Sequence, residues 1–388
     1  MSRIDELVEQ LCPEGVEYKN LSQVARIVGG RDYKHLGEGD IPVYGSGGPM
    51  TYVDAAAYDK PTVLLPRKGS ISNVFYLEEP FWNVDTVYYT EIDTTQIHPR
   101  FFYHVILNEH IEKLNTSNAA RPALTRAVLN KIPIPVPPME IQQEIVRVLD
   151  SFAELEAELE AELEARLRQY AYYRDELLDF AGCDDVRWTK LKELYTVTSA
   201  KRITQAEQVE DGIPFLRLSD IATLITEGKV RAELFISKRR YGELQRSGHV
   251  PKEGDLLITA RGTLGKCYVV KDMDQFYFQD GMIAWLKQQK NSPLPAYVKH
   301  VFSSNSFLES LRSRSSTGTV SYLSNRLLAE TAIPVPSRNE QERIVAILDK
   351  FDTLVNDISQ GLPAEINVRR QQYAYYRDKL LTFKEKVV

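Results

Sequence analysis

The sequence predicts an α+β protein: two pseudo-symmetric globular α/β domains separated by two long helices that pack as an antiparallel coiled coil. Three observations carry that expectation. A leader and helix start, Ile134-Pro135-Val136-Pro137 followed by Ile145-Val146, Leu149-Asp150 and Phe152, recurs 199 residues later as Ile333-Pro334-Val335-Pro336 followed by Ile344-Val345, Leu348-Asp349 and Phe351. The heptapeptide Gln169-Tyr170-Ala171-Tyr172-Tyr173-Arg174-Asp175 returns unchanged as Gln372-Tyr373-Ala374-Tyr375-Tyr376-Arg377-Asp378. Between the repeats lie two loop-rich segments that echo each other weakly. A chain repeated in this way follows the logic of a two-fold object.

The elements follow in order. Ile4 to Leu11 carries apolar residues at helical spacing and predicts a short N-terminal helix. Val16-Glu17-Tyr18-Lys19-Asn20-Leu21 opens the first globular segment as Val186-Arg187-Trp188-Thr189-Lys190-Leu191 opens the second. Each soon reaches a turn and an apolar strand, Gly39-Asp40-Ile41-Pro42-Val43-Tyr44 and Asp211-Gly212-Ile213-Pro214-Phe215-Leu216. A strand then runs into a basic glycine turn in both, Leu64-Leu65-Pro66-Arg67-Lys68-Gly69 and Leu257-Ile258-Thr259-Ala260-Arg261-Gly262. Ser117-Asn118-Ala119-Ala120-Arg121 and Ser316-Thr317-Gly318-Thr319-Val320 close the two segments. Elsewhere they diverge, as expected of one fold adapted to two targets. The predicted boundaries are 1–131 and 182–332 for the globular domains and 132–181 and 333–388 for the helices.

In the first helix Phe152, Leu155, Leu159, Leu163, Leu167, Tyr170, Arg174 and Leu177 step by three or four, which puts one narrow apolar seam on a face opposite glutamates. The second repeats this with Phe351, Leu354, Ile358, Leu362, Ile366, Tyr373, Tyr376 and Leu380. Pro137-Pro138 and the capping box Ser337-x-x-Glu340 mark the starts. About 40 residues of helix would span about 60 Å, and an exposed seam of that length needs the other repeat as its partner. Gly361-Leu362-Pro363 predicts a break in the second helix. Because Leu380-Leu381-Thr382-Phe383 matches Leu177-Leu178-Asp179-Phe180, the arrangement should be nearly circular, its termini meeting.

Composition excludes several classes. With 388 residues, 43% hydrophobic, the chain has enough apolar mass for two or three packed domains. It shows no signal-peptide core and no apolar run near membrane-span length, so it reads as cytoplasmic. Cys12, Cys183 and Cys267 are isolated, which offers no disulfide framework or metal knuckle. The net charge of −6 argues against an unaided grip on nucleic acid. Yet residues 132–181 hold 4 basic against 12 acidic residues, while 182–332 hold 22 against 17, so the acid is concentrated on one helix.

Catalytic motifs are missing from the sequence. It has no Asn/Asp-Pro-Pro-Tyr/Phe, no Gly-x-Gly loop after a first strand, and no phosphate loop. Gly262-Thr263-Leu264-Gly265-Lys266-Cys267 has the wrong spacing for one, and Gly45-Ser46-Gly47-Gly48 reads as a flexible loop that can approach a ligand. The histidines His35, His98, His104, His110, His249 and His300 show no metal-ligand spacing and read as surface or internally satisfied groups. The expected catalytic set and metal set are both none.

The doubled order of globular segment and helix, the Ile-Pro-(Ile/Val)-Pro leaders, the Leu-Asp-x-Phe motifs and the paired Gln-Tyr-x-Tyr-Tyr-Arg-Asp-x-Leu-Leu ends together resemble the specificity subunits of type I restriction-modification systems. The resemblance covers essentially the whole chain. It implies two target recognition domains, each reading half of a split double-stranded DNA sequence, on helices that bind two methylation subunits, with restriction subunits joining the complex. It also implies that S-adenosylmethionine belongs to the methylation subunit and ATP and Mg to the restriction subunit, with no cofactor in this chain. Phosphate contacts shared with partners would make the net charge tolerable. The alternatives are a non-catalytic, dimerising scaffold, which would leave the divergent loops unexplained, and a nuclease or methyltransferase with an unrecognised site.

The loops supply the candidate DNA contacts: Arg31, Lys34, Arg67, Lys68 and Arg121 in the first domain, and Lys201, Arg202, Arg217, Arg261, Lys266 and Arg314 in the second. Lys68 and Arg261 stand out because each precedes a glycine at an equivalent strand end. Tyr44, Ser46 and Tyr322 are polar candidates beside them. Tyr170, Tyr172, Tyr173 and Arg174, with Tyr373, Tyr375, Tyr376 and Arg377, are either core residues of the helix pair or a surface offered to the methylation subunits.

Overall fold

The structure is a computed structural model that describes residues 3–115, 122–262, 264–314, 322–357 and 359–386. It divides into two compact units, one of residues 1–158 and 367–388 and the other of residues 159–366, so both long helical stretches contribute to both units.

In the first unit the helix Arg3–Leu11 buries Ile4 in the core. The strand Glu17–Asn20 pairs antiparallel with Pro133–Val136, so that the proline-rich leader closes onto the domain's opening strand. A four-stranded antiparallel sheet follows, in the order Ala25–Gly29, Val87–Ile92, Thr62–Pro66, Phe75–Leu77. A smaller sheet places Ile41–Gly45 between Gly48–Val53 and the short parallel strand Trp82–Asn83. The helix Pro99–Asn108 packs its apolar face beneath the larger sheet, with Phe101, Phe102 and Ile106 fully buried.

The second unit repeats this plan. Arg187–Lys190 pairs with Ala332–Val335. The larger sheet runs Tyr195–Thr198, Ile283–Gln288, Leu256–Thr259, Cys267–Val269, and Ile213–Leu216 pairs parallel with Tyr277–Phe278 in the smaller one. Pro295–Ser303 takes the place of Pro99–Asn108. The difference lies after the inner strand of the small sheet. The first unit makes a two-residue hairpin there, whereas the second inserts the helix Leu218–Glu227 before the pairing strand Phe235–Ile236.

The first long helix is continuous over Met139–Leu177. The second breaks into Arg338–Asn356 and Leu362–Leu381, at the expected Gly361-Leu362-Pro363. A Cβ on Gly361 would lie 2.4 Å from the Thr353 carbonyl oxygen, so the chain folds back too closely there for any other residue. The helices run antiparallel. In the first unit Phe152 stacks on Tyr376 at 5.4 Å and Glu156 accepts from Arg370 at 2.6 Å, the sequence numbers rising on one helix and falling on the other. In the second unit the far end of the first helix meets the near end of the second, Tyr170 and Tyr173 both stacking on Phe351. The seam is incompletely covered, with Leu155 and Leu167 exposed; Ile358 lies outside the described residues. Only half of the expected capping box forms. Ser337 Oγ accepts from the Glu340 N–H, but the Glu340 carboxylate is taken by Arg343 in a two-bond pair.

The termini of the first unit meet as expected. The Val16 N–H donates to the Lys384 carbonyl and the Lys386 N–H to that of Val16, at 2.8 and 2.9 Å.

Candidate nucleic-acid interface

The basic glycine turns end equivalent strands and are built alike. After Thr62–Pro66 the Arg67 carbonyl accepts from Leu124 N–H, and Lys68 pairs with Ala123. After Leu256–Thr259 the Ala260 carbonyl accepts from Leu323 N–H, and Arg261 pairs with Tyr322. Leu124 and Leu323 are both buried, which anchors each turn to the core while the basic side chain stays outside. Gly69 and Gly262 lie at φ +84° and +67°, a conformation that favours glycine. The Arg261 guanidinium sits 5.0 Å over the Tyr322 ring, a cation–π contact that holds it outward.

Around Lys68 the structure gathers several first-domain candidates. Lys68 Nζ is 3.0 Å from Asp85 Oδ2, and Arg67 donates to the Asp85 carbonyl. The Ser46 N–H donates to Thr86 Oγ1, and Asn73 donates to the Ser46 carbonyl, so the 45–48 loop lies against the Arg67-Lys68 turn. Arg31 joins only through its backbone, its N–H donating to the Asn83 carbonyl and its own carbonyl accepting from Trp82 Nε1. Lys34 is exposed on the following loop, outside this group. Tyr44 is half-buried, its ring packed against Phe75 and Phe81 at 5.7 and 6.4 Å on the aromatic side of the small sheet, which sets it apart from the Lys68 group. Arg121 lies outside the described residues.

In the second domain Arg202 and Arg217 share a cleft of about 610 Å³ with Gln208, Gln279 and Asp280. Arg217 is already engaged by Asp220 and Glu233, at 3.3 and 2.9 Å. Lys201 is exposed, its backbone held by the Tyr277 hydroxyl, which accepts from the Lys201 N–H at 2.7 Å and donates to its carbonyl at 3.1 Å. Lys266 lies elsewhere, lining a different cleft of about 740 Å³ with Tyr170, Arg174, Lys299 and Asp352 beside the helices. Lys266 is held just before the adjoining strand, its N–H donating to Thr259 Oγ1 and its carbonyl accepting from the Thr259 N–H. Arg314 is exposed at the end of the helix Asn305–Arg314.

The tyrosine repeats divide by position. Tyr170 is buried and Tyr373 half-buried, whereas Tyr172, Tyr173, Tyr375 and Tyr376 are exposed. Tyr170 and Tyr373 are thus corrected to structural residues, because helical periodicity turns the first tyrosine of each motif toward the domain. Arg174 and Arg377 stack over those inward rings, at 5.2 and 5.4 Å.

The inward tyrosines end a network that the sequence reading missed. His104 Nε2 is 2.9 Å from Asp150 Oδ1, and Tyr373 Oη is 3.3 Å from His104 Nδ1. In the second unit His300 Nε2 is 2.8 Å from Asp349 Oδ1, and Tyr170 Oη is 3.4 Å from His300 Nδ1. A carboxylate only accepts, so Nε2 carries the proton and Nδ1 receives the tyrosine O–H. Each network ties the domain's helix to both long helices of its own unit. Burial holds the His104 imidazole below the usual histidine range, against the opposing pull of Asp150. A glutamine clamp is duplicated in the same way. Gln142 accepts from His98 N–H and donates to the Pro137 carbonyl, and Gln341 accepts from Leu294 N–H and donates to that of Pro336. The available signal was Pro99-x-x-x-x-His104-Val105 recurring as Pro295-x-x-x-x-His300-Val301.

Among the described residues no group of three His, Cys, Asp or Glu side chains is placed to hold a metal ion, and no helix is long and apolar enough to cross a membrane. Cys267 is fully enclosed, and burial pushes its thiol up to about 12, which suits a core residue rather than a nucleophile.

The sequence profile described as the type I restriction modification DNA specificity domain matches residues 13–169 and 184–368. A Haemophilus influenzae protein named as a type I restriction enzyme specificity subunit is 34% identical over 385 residues, covering 95% of this chain and 96% of that protein. The specificity subunit of an Escherichia coli type I restriction enzyme is 36% identical over 268 residues, 65% of this chain and 63% of that one. Among solved structures, a chain from a study of assembly and conformational transition in a type I restriction-modification system superposes with a TM-score of 0.65 at 16% identity, covering 96% of this chain and 98% of that chain. The S subunit from M. genitalium superposes with a TM-score of 0.56 at 17% identity, covering 95% and 96%. With both halves of the sequence matched and the repeated architecture shared, this chain belongs to the family of type I restriction-modification specificity subunits.

Proposed function

We propose that this chain is the sequence-reading subunit of a type I restriction-modification complex, in which each unit reads one half of an asymmetric, interrupted double-stranded DNA site. The observation that carries the reading is one framework built twice with different loops on it: a duplicated frame suits one duplex geometry, and divergent loops suit two base sequences. Lys68 and Arg261, held outward by matching turns, are the phosphate contacts. Ser46 beside Lys68, and Arg31 and Arg202 on other loops of the two domains, are further contacts.

Methylation subunits dock on the helices, where Tyr172 with Tyr173 and Tyr375 with Tyr376 present the same exposed pair at equivalent places. Two equal surfaces fit two copies of one partner. Restriction subunits join through that complex. The chain itself catalyses nothing. S-adenosylmethionine is bound by the methylation subunit, which extrudes the target adenine, and ATP and Mg serve the restriction subunit. The complex works in the cytoplasm.

The test is adenine-methylation mapping in cells that express the cognate methylation subunit with and without this chain. A bipartite motif that appears only with the chain is the expected result. A stable complex that yields no motif would overturn the reading in favour of a scaffold.

A further inference from the structure

The two domains part company directly after the inner strand of the small sheet. In the first domain the strands Ile41–Gly45 and Gly48–Val53 form a hairpin closed by Ser46 and Gly47, and among the described residues its second strand is an unpaired edge of the sheet. The pairing slips between Val43 and Tyr44: Val43 faces Thr51 and Tyr44 faces Pro49, leaving Met50 as the extra residue of a bulge. Met50 is 58% exposed and Tyr52, two residues on, 59% exposed. An open edge carrying large apolar side chains is a liability that folded proteins ordinarily cover, and bulges of this kind re-aim side chains at functional sites.

The surroundings of the tip indicate what covers it. A Cβ on Gly69 would lie 2.8 Å from Ser46 Oγ, so the Lys68-Gly69 turn packs against the hairpin turn. A Cβ on Gly45 would lie 2.7 Å from Met50 Sδ, so the methionine sulfur lies back over the tip while more than half of the residue stays exposed. Gly47 has open space around it, leaving the backbone free for close approach. Lys68 and Arg67 flank the tip with positive charge, and the exposed Lys68–Asp85 pair is weak enough to yield to a phosphate. Beyond the pairing of Tyr44 with Asn83 only the two strands of the tip continue among the described residues, and the DNA major groove admits a two-stranded element, where a hydroxyl reads base-edge donors and acceptors and an apolar side chain reads the thymine methyl.

We propose that the Ser46–Met50 hairpin tip is the base-reading element of the first domain, with Ser46 and Met50 as specificity-determining residues and Lys68 and Arg67 as its phosphate anchors. This rests on the DNA-reading function proposed above and assigns it to one element. The second domain, with the helix Leu218–Glu227 inserted at the same place, reads its half-site with different chemistry.

The experiment maps adenine methylation in cells expressing the methylation subunit with the full-length chain, wild type or carrying Met50→Ala, Ser46→Ala or both. Met273→Ala, at a 90% exposed methionine of the second domain, is the control. The tip variants should relax one or two positions of a single half-site, with discrimination falling about tenfold per lost contact, while the other half-site and the spacer stay unchanged. Retention of the unchanged half-site confirms that each variant is folded. The proposal is overturned if the tip variants leave both half-sites as in wild type, if both half-sites weaken equally, or if Met273→Ala relaxes the same positions. A wild-type chain that directs no motif would instead overturn the DNA-reading function, and the hairpin assignment with it.

Discussion

Replacing His300 by alanine should cost more than the corresponding change at His104, and the structure gives both the size and the order. His300 is 1% exposed and stands between Asp349 and Tyr170, which is itself 6% exposed. Loss of the imidazole packing costs about 2 kcal/mol. The Tyr170 hydroxyl is left buried without its acceptor, adding roughly 1–3 kcal/mol. Asp349 is half exposed and rehydrates, adding under about 1 kcal/mol. The expected loss is therefore roughly 3–6 kcal/mol. At His104 the stranded hydroxyl belongs to the half-buried Tyr373, and Asp150 keeps Arg100 at 3.0 Å, so the loss should be about 1 kcal/mol smaller. A chain of two units need not unfold in one step, so hydrogen exchange of the helices Pro295–Ser303 and Pro99–Asn108 is the suitable measurement, read separately in each variant. A loss below about 1 kcal/mol at His300, or a larger loss at His104, would refute the view that these histidines clamp the helices to their domains.

Three further outcomes are expected. Burial holds the His104 pKa below its unfolded value, so the unfolded chain binds the extra proton first; this contribution to stability is complete above about pH 6.5 and is lost as pH falls toward the folded value, a decline in urea midpoint that His104→Gln should flatten. Gly15 lies at φ +111°, where an added Cβ would sit 2.6 Å from the Lys384 carbonyl oxygen, so Gly15→Ala should cost roughly 1–3 kcal/mol and free the paired tail around Lys384 to exchange its amides. Lys68→Ala and Arg261→Ala should each lower the slope of log affinity against log salt by about 0.9 in DNA-binding titrations of the assembled complex, without altering which bases are preferred.

The repeats made the helices, the leader strands and the break at Gly361 legible, because each depends on local pattern: a 3.6-residue seam, a proline-rich extended run, a glycine and proline together. The equivalence of Lys68 and Arg261 was legible too, since each is a basic residue before a glycine at a strand end. What stayed hidden depends on contacts distant in sequence. His104 and Asp150 are separated by 46 residues and His104 and Tyr373 by 269, and a histidine searched for metal-ligand spacing shows nothing when its partners are a carboxylate and a phenol. Tyr44 was legible as a strand residue, but which face of the small sheet it takes, against Phe75 and Phe81, depends on those distant residues. Lys266 follows Arg261 by five residues, but a reversing turn lies between them. Glu340 stood at the right distance from Ser337 for a reciprocal cap, and lost that role to Arg343, whose guanidinium offers two bonds in place of one.

The residues kept in both units and those that differ occupy different places for a physical reason. The kept set comprises the leader strand against the opening strand, the glutamine clamp of Gln142 and Gln341, the histidine networks, and the turn anchored by Leu124 or Leu323. Apart from the carboxylates of the histidine networks, it is buried or backbone-paired, and a slip of one residue in such a strand would send its buried face to solvent. The divergent set begins where the inner strand of the small sheet ends, as a hairpin in one unit and a helix in the other, on surface where backbone groups can be satisfied in many ways. Sequence change in the hairpin therefore leaves the junction of that domain with its helices intact. A change at Gln142 or His104 acts on that junction instead. A protein that must alter what it reads while keeping how it is mounted has to divide its residues in this way.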